Sequence, residues 1–210
     1  MLRLSNCIFA RMVLSEEQLN LLNSQNYLAV ANFLDQNKTE ALRAELLSLE
    51  KIDAFKKAGI GRELQHHVDA TKRGDFIHWI DQQAPSAALA IYLDKINALI
   101  GQLNRRFFLG IRDFECHFAI YPEQTFYEKH VDRHRTGSHR IVSFVFYLNE
   151  NWQHEDSGQL KIYQESGSTE LIEPIAGTLA LFFSDLPHEV LKTNKRRLSI
   201  TGWMLDKMVI

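Results

Sequence analysis

Cysteine is almost absent. The 210-residue chain has two, Cys7 and Cys116. One disulfide is the most they could form, so this is not the stapled scaffold of a small secreted domain. No stretch is long and apolar enough to span a bilayer. The early run "CIFARMVL" is short, is broken by Arg11, and is followed by no small-residue cleavage site, so a secretory leader is not expected. An excess of one charge is missing too: 24 Lys and Arg stand against 26 Asp and Glu, a net charge of -2. No general attraction to nucleic acid or to an anionic membrane follows, and neither is expected as a partner. Repeats and low-complexity segments are absent as well. What is present, 45% hydrophobic and 24% charged residues, suits a globular protein of a reducing cytoplasm. The chain is long enough to bury a full core, and one domain over residues 1–210 is expected.

The two halves of the chain differ in pattern. Residues 1–110 read as a mainly helical support layer with some strands. Ser15 before Glu16 and Glu17 marks a helix start, with acids in the first turn. "YLAVANFL" (Tyr27–Leu34) reads as a strand. Leu42, Leu46 and Leu49 recur at helical spacing, as do Leu89, Leu93, Ile96 and Ile100 in a long helix over Ala84–Phe107 with Ser86 as its cap. Residues 111–210 change to short β-rich runs: "FECHFAIY", "RIVSFVFYLN", "QLKIY", "TLALFF", "EVLKT" and "RLSITGWML". Turn-prone "RTGS", "EDSG", "ESGS", "SDLP" and "TNK" separate them. The expected class is mixed α+β, a β-roll with N-terminal helices packed on one sheet.

The spacing His-x-Asp occurs three times, at His67–Asp69, His130–Asp132 and His154–Asp156. On a strand, residues i and i+2 point to one side, so the spacing aims an imidazole and a carboxylate at one point. Two imidazoles and a carboxylate on one face of an octahedron suit iron(II) and leave three positions open, although zinc and manganese accept the same donors. His188, in "DLPHEV", is the natural third ligand. His154 lies too near it in sequence, and His67 lies outside the β-rich half. His130 and Asp132 precede a strand inside it, at a separation from His188 that lets the chain circle a roll and return. His66, His67, His134, His139 and His154 read as surface or hydrogen-bonding residues.

In a strand "RLSITGW", Arg197, Ser199, Thr201 and Trp203 share one face, and Leu198 and Ile200 the other. The polar set would face into the roll, with the aliphatic pair against the helices. A buried guanidinium needs an anionic partner, and its planar fork fits a carboxylate. A metal at one end of a pocket and an arginine at the other fit a short dicarboxylate. Tyr147 and Tyr121, on inward-facing positions of their strands, either add hydroxyls to that pocket or pack as core residues.

These segments resemble the iron(II)- and 2-oxoglutarate-dependent oxygenases, within them the prolyl hydroxylases of the hypoxia-sensing type and their bacterial relatives. Four pieces carry the resemblance in order: "RGDFIHWI" (Arg73–Ile80), "YPEQTFYEKHVD" (Tyr121–Asp132), "RIVSFVFYLNENW" (Arg140–Trp152) and "PHEV…RLSITGW". The likeness implies a double-stranded β-helix, or jelly roll, and a peptidyl prolyl 4-hydroxylase. It implies His130, Asp132 and His188 as iron ligands and catalytic centre. Arg197, Tyr147 and Thr201 would bind the distal carboxylate of 2-oxoglutarate, in a pocket lined by Tyr121 and Leu160. Arg140 and Trp203 match the peptide mouth, and Arg73 and Asp75 a loop that covers substrate. Implied partners are dioxygen, ascorbate as reductant, and a protein presenting a proline loop, such as a translation factor or ribosomal protein. The "YPEQTFY" loop lacks the expected glycine-rich turn and the "DRHRTGSHR" linker is one residue longer, so the departures lie beside the substrate mouth. Three readings remain: the protein prolyl hydroxylase, an oxygenase of a small molecule or nucleic-acid base, and a non-catalytic roll that binds a partner.

Overall fold

The computed structural model describes residues 12–59, 69, 71–133 and 137–208. Three helices form where the caps and apolar spacing direct them. Helix α1 (Glu16–Gln25) starts at a reciprocal capping box between Ser15 and Gln18. Helix α2 (Gln36–Lys51) is capped by Asp35 and buries Thr39, Leu42 and Leu46. Helix α3 (Ala87–Phe107) is capped by Ser86 and buries Leu89, Tyr92, Leu93, Ile96, Leu99, Ile100 and Leu103. That repeat of three and four residues is one continuous helix face. Phe108 ends α3 in the left-handed region. No helix among the described residues is long and apolar enough to cross a membrane.

The strands are β1 (Tyr27–Val30), β2 (Lys56–Lys57), β3 (Phe76–Trp79), β4 (Asp113–Tyr121), β5 (Tyr127–His130), β6 (Arg140–Tyr147), β7 (Leu160–Tyr163), β8 (Thr169–Ile172), β9 (Leu179–Phe183), β10 (His188–Val190) and β11 (Arg197–Leu205). Seven make one sheet in the order β1-β9-β6-β11-β4-β3-β2, and four make the other, β5-β10-β7-β8. All pairings between these strands are antiparallel. This is the two-sheet roll with helices on one side that the sequence predicts.

Alternation along the seven-stranded sheet divides its faces. Phe114, Phe118 and Ile120 of β4, Val142, Phe144 and Phe146 of β6, and Leu198, Ile200 and Met204 of β11 join the helices in one apolar cluster. The opposite positions face the smaller sheet. There Val145, Tyr147, Leu160, Ile162, Ala180 and Phe182 form one cluster, and Ala119, Tyr121 and Val190 another. Between them lies polar ground.

Four strand readings change. The run expected as a strand over Tyr27–Leu34 is one only over Tyr27–Val30, because the chain turns at Asn32, whose φ of 53° is left-handed. The expected strand "EVLKT" is shorter and begins at His188, because Leu191 N already bonds Gln159 O outside the ladder and Thr193 N bonds Thr125 O. Strand β8 was hidden by its polar, exposed edge, and β3 lay in a segment of mixed character. The chain approaches closely at Gly202, where an added Cβ would sit 2.4 Å from Phe144 Cζ and 2.5 Å from the Glu115 carbonyl oxygen. Cys116 is buried with a free thiol, while Cys7 lies outside the described residues.

Candidate metal and co-substrate site

The pairing of β10 with β5 sets His188 directly opposite His130. Their ring centroids are 4.3 Å apart. Asp132 follows just past the end of β5, where its N–H and that of Arg133 both donate to the Ser184 carbonyl, at 3.0 and 2.8 Å. His130 Nε2 is 3.7 Å from Asp132 Oδ1, and His188 Nε2 is 3.5 Å from Asp132 Oδ2. One ligand atom from each residue lies within 4.8 Å of the others.

Each imidazole is turned by its other nitrogen. His130 Nδ1 lies 2.7 Å from the Glu128 carbonyl oxygen and His188 Nδ1 2.9 Å from that of Leu186. A carbonyl only accepts, so Nδ1 carries the proton and each Nε2 presents its lone pair to the common point. Burial, with His188 beside it, pushes His130 down to about 4, so the ring is neutral. Burial alone would raise the Asp132 carboxyl, yet the facing imidazoles and the Ser143 hydroxyl hold it below the usual range. Two imidazole nitrogens and a carboxylate thus converge as donors for a divalent cation.

The other end of the cavity holds Arg197, which is 1% exposed. It forms no ion pair with any described residue, its Nε has no partner, and Nη1 reaches only Ser199 Oγ at 3.5 Å. Its guanidinium carbon sits 5.0 Å from the ring centres of both Tyr121 and Tyr147. The Tyr147 hydroxyl is buried beside the guanidinium, with no acceptor for its own proton among the described residues. A buried cation and a neighbouring orphan donor are a strong demand for an anion.

Of the residues expected at the site, all but Tyr147 and Arg140 line one cavity: His130, Asp132, His188, Arg197, Tyr121, Thr201, Leu160, Trp203, Arg73 and Asp75. Tyr147 stands beside Arg197. Arg140 lies 3.5 Å over the Trp203 ring and pairs with Glu115 at 2.9 Å. Arg73 and Asp75 lie in the cavity wall. Asp75 is 1% exposed and is held by Arg73 through two hydrogen bonds of 2.6 and 2.8 Å, and Arg73 bridges to Tyr127. The rejected histidines stay away: His154 is exposed and pairs with Glu173, and His139 pairs with Asp206. His66, His67 and His134 lie outside the described residues.

Sequence reasoning missed Tyr127, Ser184 and Phe182. Tyr127 stacks on His130 at 3.7 Å, and the Arg73 guanidinium lies 4.7 Å from the Tyr127 ring centre. Simple alternation would put residues 127 and 130 on opposite faces, but a register shift between His188 and Val190 brings them together. Phe182 packs edge-on to His188 at 4.6 Å. Ser143 lies on the same face of β6 as Tyr147, four residues earlier. It donates to Asp132 Oδ2 at 2.6 Å.

With this geometry in hand, similarity decides the family. Residues 116–205 match the family model of the 2OG-Fe(II) oxygenase superfamily. A prolyl-4-hydroxylase of Pseudomonas putida is 38% identical, superposes with a TM-score of 0.82, and aligns over 91% of this chain and 98% of its own. The chain belongs to the 2OG-Fe(II) oxygenase superfamily. A prolyl hydroxylase of Trichoplax adhaerens, solved with a hypoxia-inducible factor oxygen degradation domain peptide, is 29% identical with a TM-score of 0.80, over 90% of this chain and 87% of that one. The hypoxia-inducible factor prolyl hydroxylase of Caenorhabditis elegans is 30% identical over 92% of this chain, which spans 28% of that relative's length. Membership of this superfamily implies Fe(II) and 2-oxoglutarate, and the fold is the double-stranded β-helix of these oxygenases. The donor set at 130, 132 and 188 and the orphaned Arg197 and Tyr147 groups fit that metal and that dicarboxylate.

Proposed function

We propose that the protein hydroxylates a prolyl residue in a protein substrate, using Fe(II), 2-oxoglutarate and dioxygen. The observation that carries this is the pairing of three convergent metal donors with a buried, unpaired guanidinium in one cavity. The prolyl hydroxylases of Pseudomonas putida and Trichoplax adhaerens support proline as the target. His130, Asp132 and His188 would hold the metal through Nε2, one carboxylate oxygen and Nε2. Arg197 would clasp the distal carboxylate of 2-oxoglutarate through two charge-assisted hydrogen bonds, with the Tyr147 hydroxyl adding a third donor. Tyr121, Leu160 and Thr201 would shape the walls around it. Arg140 with Trp203, and Arg73 with Asp75, would flank the mouth where peptide enters.

Bound together, the metal and co-substrate would supply dioxygen activation: one oxygen atom would enter the substrate C–H bond and the other the succinate that forms as 2-oxoglutarate loses carbon dioxide. The chain's own part is positioning and exclusion of water. The carbonyls of Glu128 and Leu186 keep both imidazoles in the ligating tautomer. Ascorbate as an accessory reductant, and a translation factor or ribosomal protein as substrate, belong to the same proposal.

The test is anaerobic. Fe(II) and then 2-oxoglutarate are added to the wild type and to Asp132→Ala, and the visible charge-transfer band of the chelate is followed. A band in the wild type that is lost in the variant supports the site. No band in the wild type refutes it. Aerobic incubation with proline peptides, read by mass for one added oxygen, then tests the substrate class.

A further inference from the structure

Asp132 is gripped twice by one element, the turn that follows β9. Its main chain donates to the Ser184 carbonyl. Its side chain reaches the same residue through a hydroxyl relay. Ser143 Oγ lies 2.6 Å from Asp132 Oδ2, and Ser184 Oγ lies 2.9 Å from Ser143 Oγ. Both serines are buried, at 2% and 0% exposure. The direction of the relay follows from proton count. An ionised carboxylate only accepts, so the Ser143 proton goes to Oδ2. Ser143 Oγ then accepts the Ser184 proton. The relay is a single-file chain, Ser184 to Ser143 to Asp132.

This chain treats the two carboxylate oxygens differently. Oδ2 receives a charge-assisted hydrogen bond, while no described residue donates to Oδ1. Both oxygens border the same gap, Oδ1 on the His130 side and Oδ2 on the His188 side. A carboxylate free to turn could bring both oxygens onto one metal and fill two positions. One with Oδ2 held would offer Oδ1 alone.

We propose that Ser143, backed by Ser184, is a positioning residue that makes Asp132 a one-oxygen ligand through Oδ1 and so keeps a metal position open for the co-substrate. The inference rests on the metal reading of the site and adds a named determinant of its coordination. Ser143 sits on the inner face of β6, opposite Trp203 of β11 and Phe182 of β9, so sheet register delivers its hydroxyl to that point. Ser184 N also bonds the Ile141 carbonyl, which ties the relay's far end to β6.

The experiment titrates Co(II) into wild type, Ser143→Ala, Ser143→Thr, Ser184→Ala and His130→Ala, reading affinity and the visible d–d spectrum without turnover. Ser143→Ala should bind Co(II) about 10–100-fold more weakly, the usual effect of losing an outer-shell partner. Its spectrum should change in intensity as the carboxylate changes mode. Ser143→Thr, which keeps the hydroxyl, should restore the wild-type spectrum. Ser184→Ala keeps the main-chain grip and should show the same spectral change with a smaller loss of affinity. It carries the test if Ser143→Ala does not fold. Wild-type affinity and spectrum in both alanine variants would overturn the relay while leaving the metal site standing. Failure of the metal reading looks different: the wild type would bind no Co(II), or His130→Ala would bind as tightly as wild type, and the inference would fall with it.

Discussion

Replacing Arg197 by methionine should separate folding from binding. Arg197 is 1% exposed and forms no ion pair with any described residue; its Nε has no partner and Nη1 reaches Ser199 Oγ at 3.5 Å. Its stem is packed, since a Cβ added at Gly158 would lie 3.3 Å from Arg197 Cδ. Methionine keeps much of that stem and removes the buried charge. Taking away an uncompensated charge is neutral or stabilising for a fold. Without ligand the Arg197→Met protein should therefore melt at or above the wild-type temperature, although the largest fully buried side chain has been lost.

Binding should move the other way. Two charge-assisted hydrogen bonds at about 1.5–3 kcal/mol each give a loss of roughly 3–6 kcal/mol, reduced by whatever water recovers. A loss of about 2.7 kcal/mol, slightly below that lower end, is a hundredfold in Kd. At a 2-oxoglutarate concentration of about 100 times the wild-type Kd, bound ligand adds ~2.7 kcal/mol to wild-type stability and only ~0.4 kcal/mol to a variant bound a hundredfold more weakly. For a chain of this size that is a rise in Tm of roughly 5–11 °C against about 1 °C. The assay is thermal unfolding with Mn(II) present, with and without 2-oxoglutarate, and Mn(II) affinity measured separately. Equal co-substrate shifts in the two proteins would refute the carboxylate assignment. A strongly destabilised unliganded variant would refute the claim that Arg197 is uncompensated.

His130→Ala should abolish turnover and metal binding, whereas His154→Ala and His67→Ala should leave metal affinity intact, because His154 is exposed and tied to Glu173; Co(II) titration of the three variants checks this. Gly202→Ala should destabilise by about 1–3 kcal/mol or more, since the new Cβ meets a paired-strand carbonyl that cannot swing away; the drop in Tm measures it. His117 tests a pH dependence. Burial pushes it down to about 4, below the ~6.5 of a free imidazole, so the unfolded chain takes the proton first. Its stabilising contribution is whole above about pH 6.5 and is lost as pH falls toward 4, by up to ~1.4 kcal/mol per pH unit. Urea midpoints at pH 7, 6 and 5 should slope less in His117→Leu than in wild type; equal slopes would mean that the ring is not buried neutral.

The split of β11 into two faces was legible because period-two alternation needs no tertiary information. It put Arg197 inside and Leu198 and Ile200 against the helices, as found. The long helix was legible for the same reason, with a period of 3.6 and a serine cap. His130 and Asp132 could be chosen over two competing pairs by their place in the strand order, and His154 indeed lies elsewhere. Legibility failed where geometry depends on pairing. The bulge that brings Tyr127 over His130 has no local signature, and the relay through Ser184 joins residues 41 apart. The wall position of Arg73 and Asp75 also depends on pairing, through the bridge of Arg73 to Tyr127 in β5. Strand β8 failed on composition, because an exposed edge strand looks like a loop.

One face of the large sheet is given to polar chemistry, so its stability must come from the other. The inner positions of β11 begin with Arg197 and Ser199, both buried, and the unpaired guanidinium there opposes folding. The outer positions meet α3, whose Leu93, Ile96, Leu99 and Leu103 are 5% exposed or less. Burial of each such side chain contributes about 1.5–3 kcal/mol, against a net stability of roughly 5–15 kcal/mol for a domain. The helical layer is thus what allows an uncompensated site to exist before ligand arrives. Ile96→Ala should cost about 2–5 kcal/mol, because the residue is fully buried and a cavity remains. Mn(II) with 2-oxoglutarate at about 100 times Kd should return ~2.7 kcal/mol of that, since ligand acts on the opposite face of the same sheet. In an Ile96→Ala, Arg197→Met double variant, the metal alone should still stabilise while 2-oxoglutarate adds almost nothing. Full co-substrate rescue in the double variant would show that the dicarboxylate is held somewhere other than at Arg197.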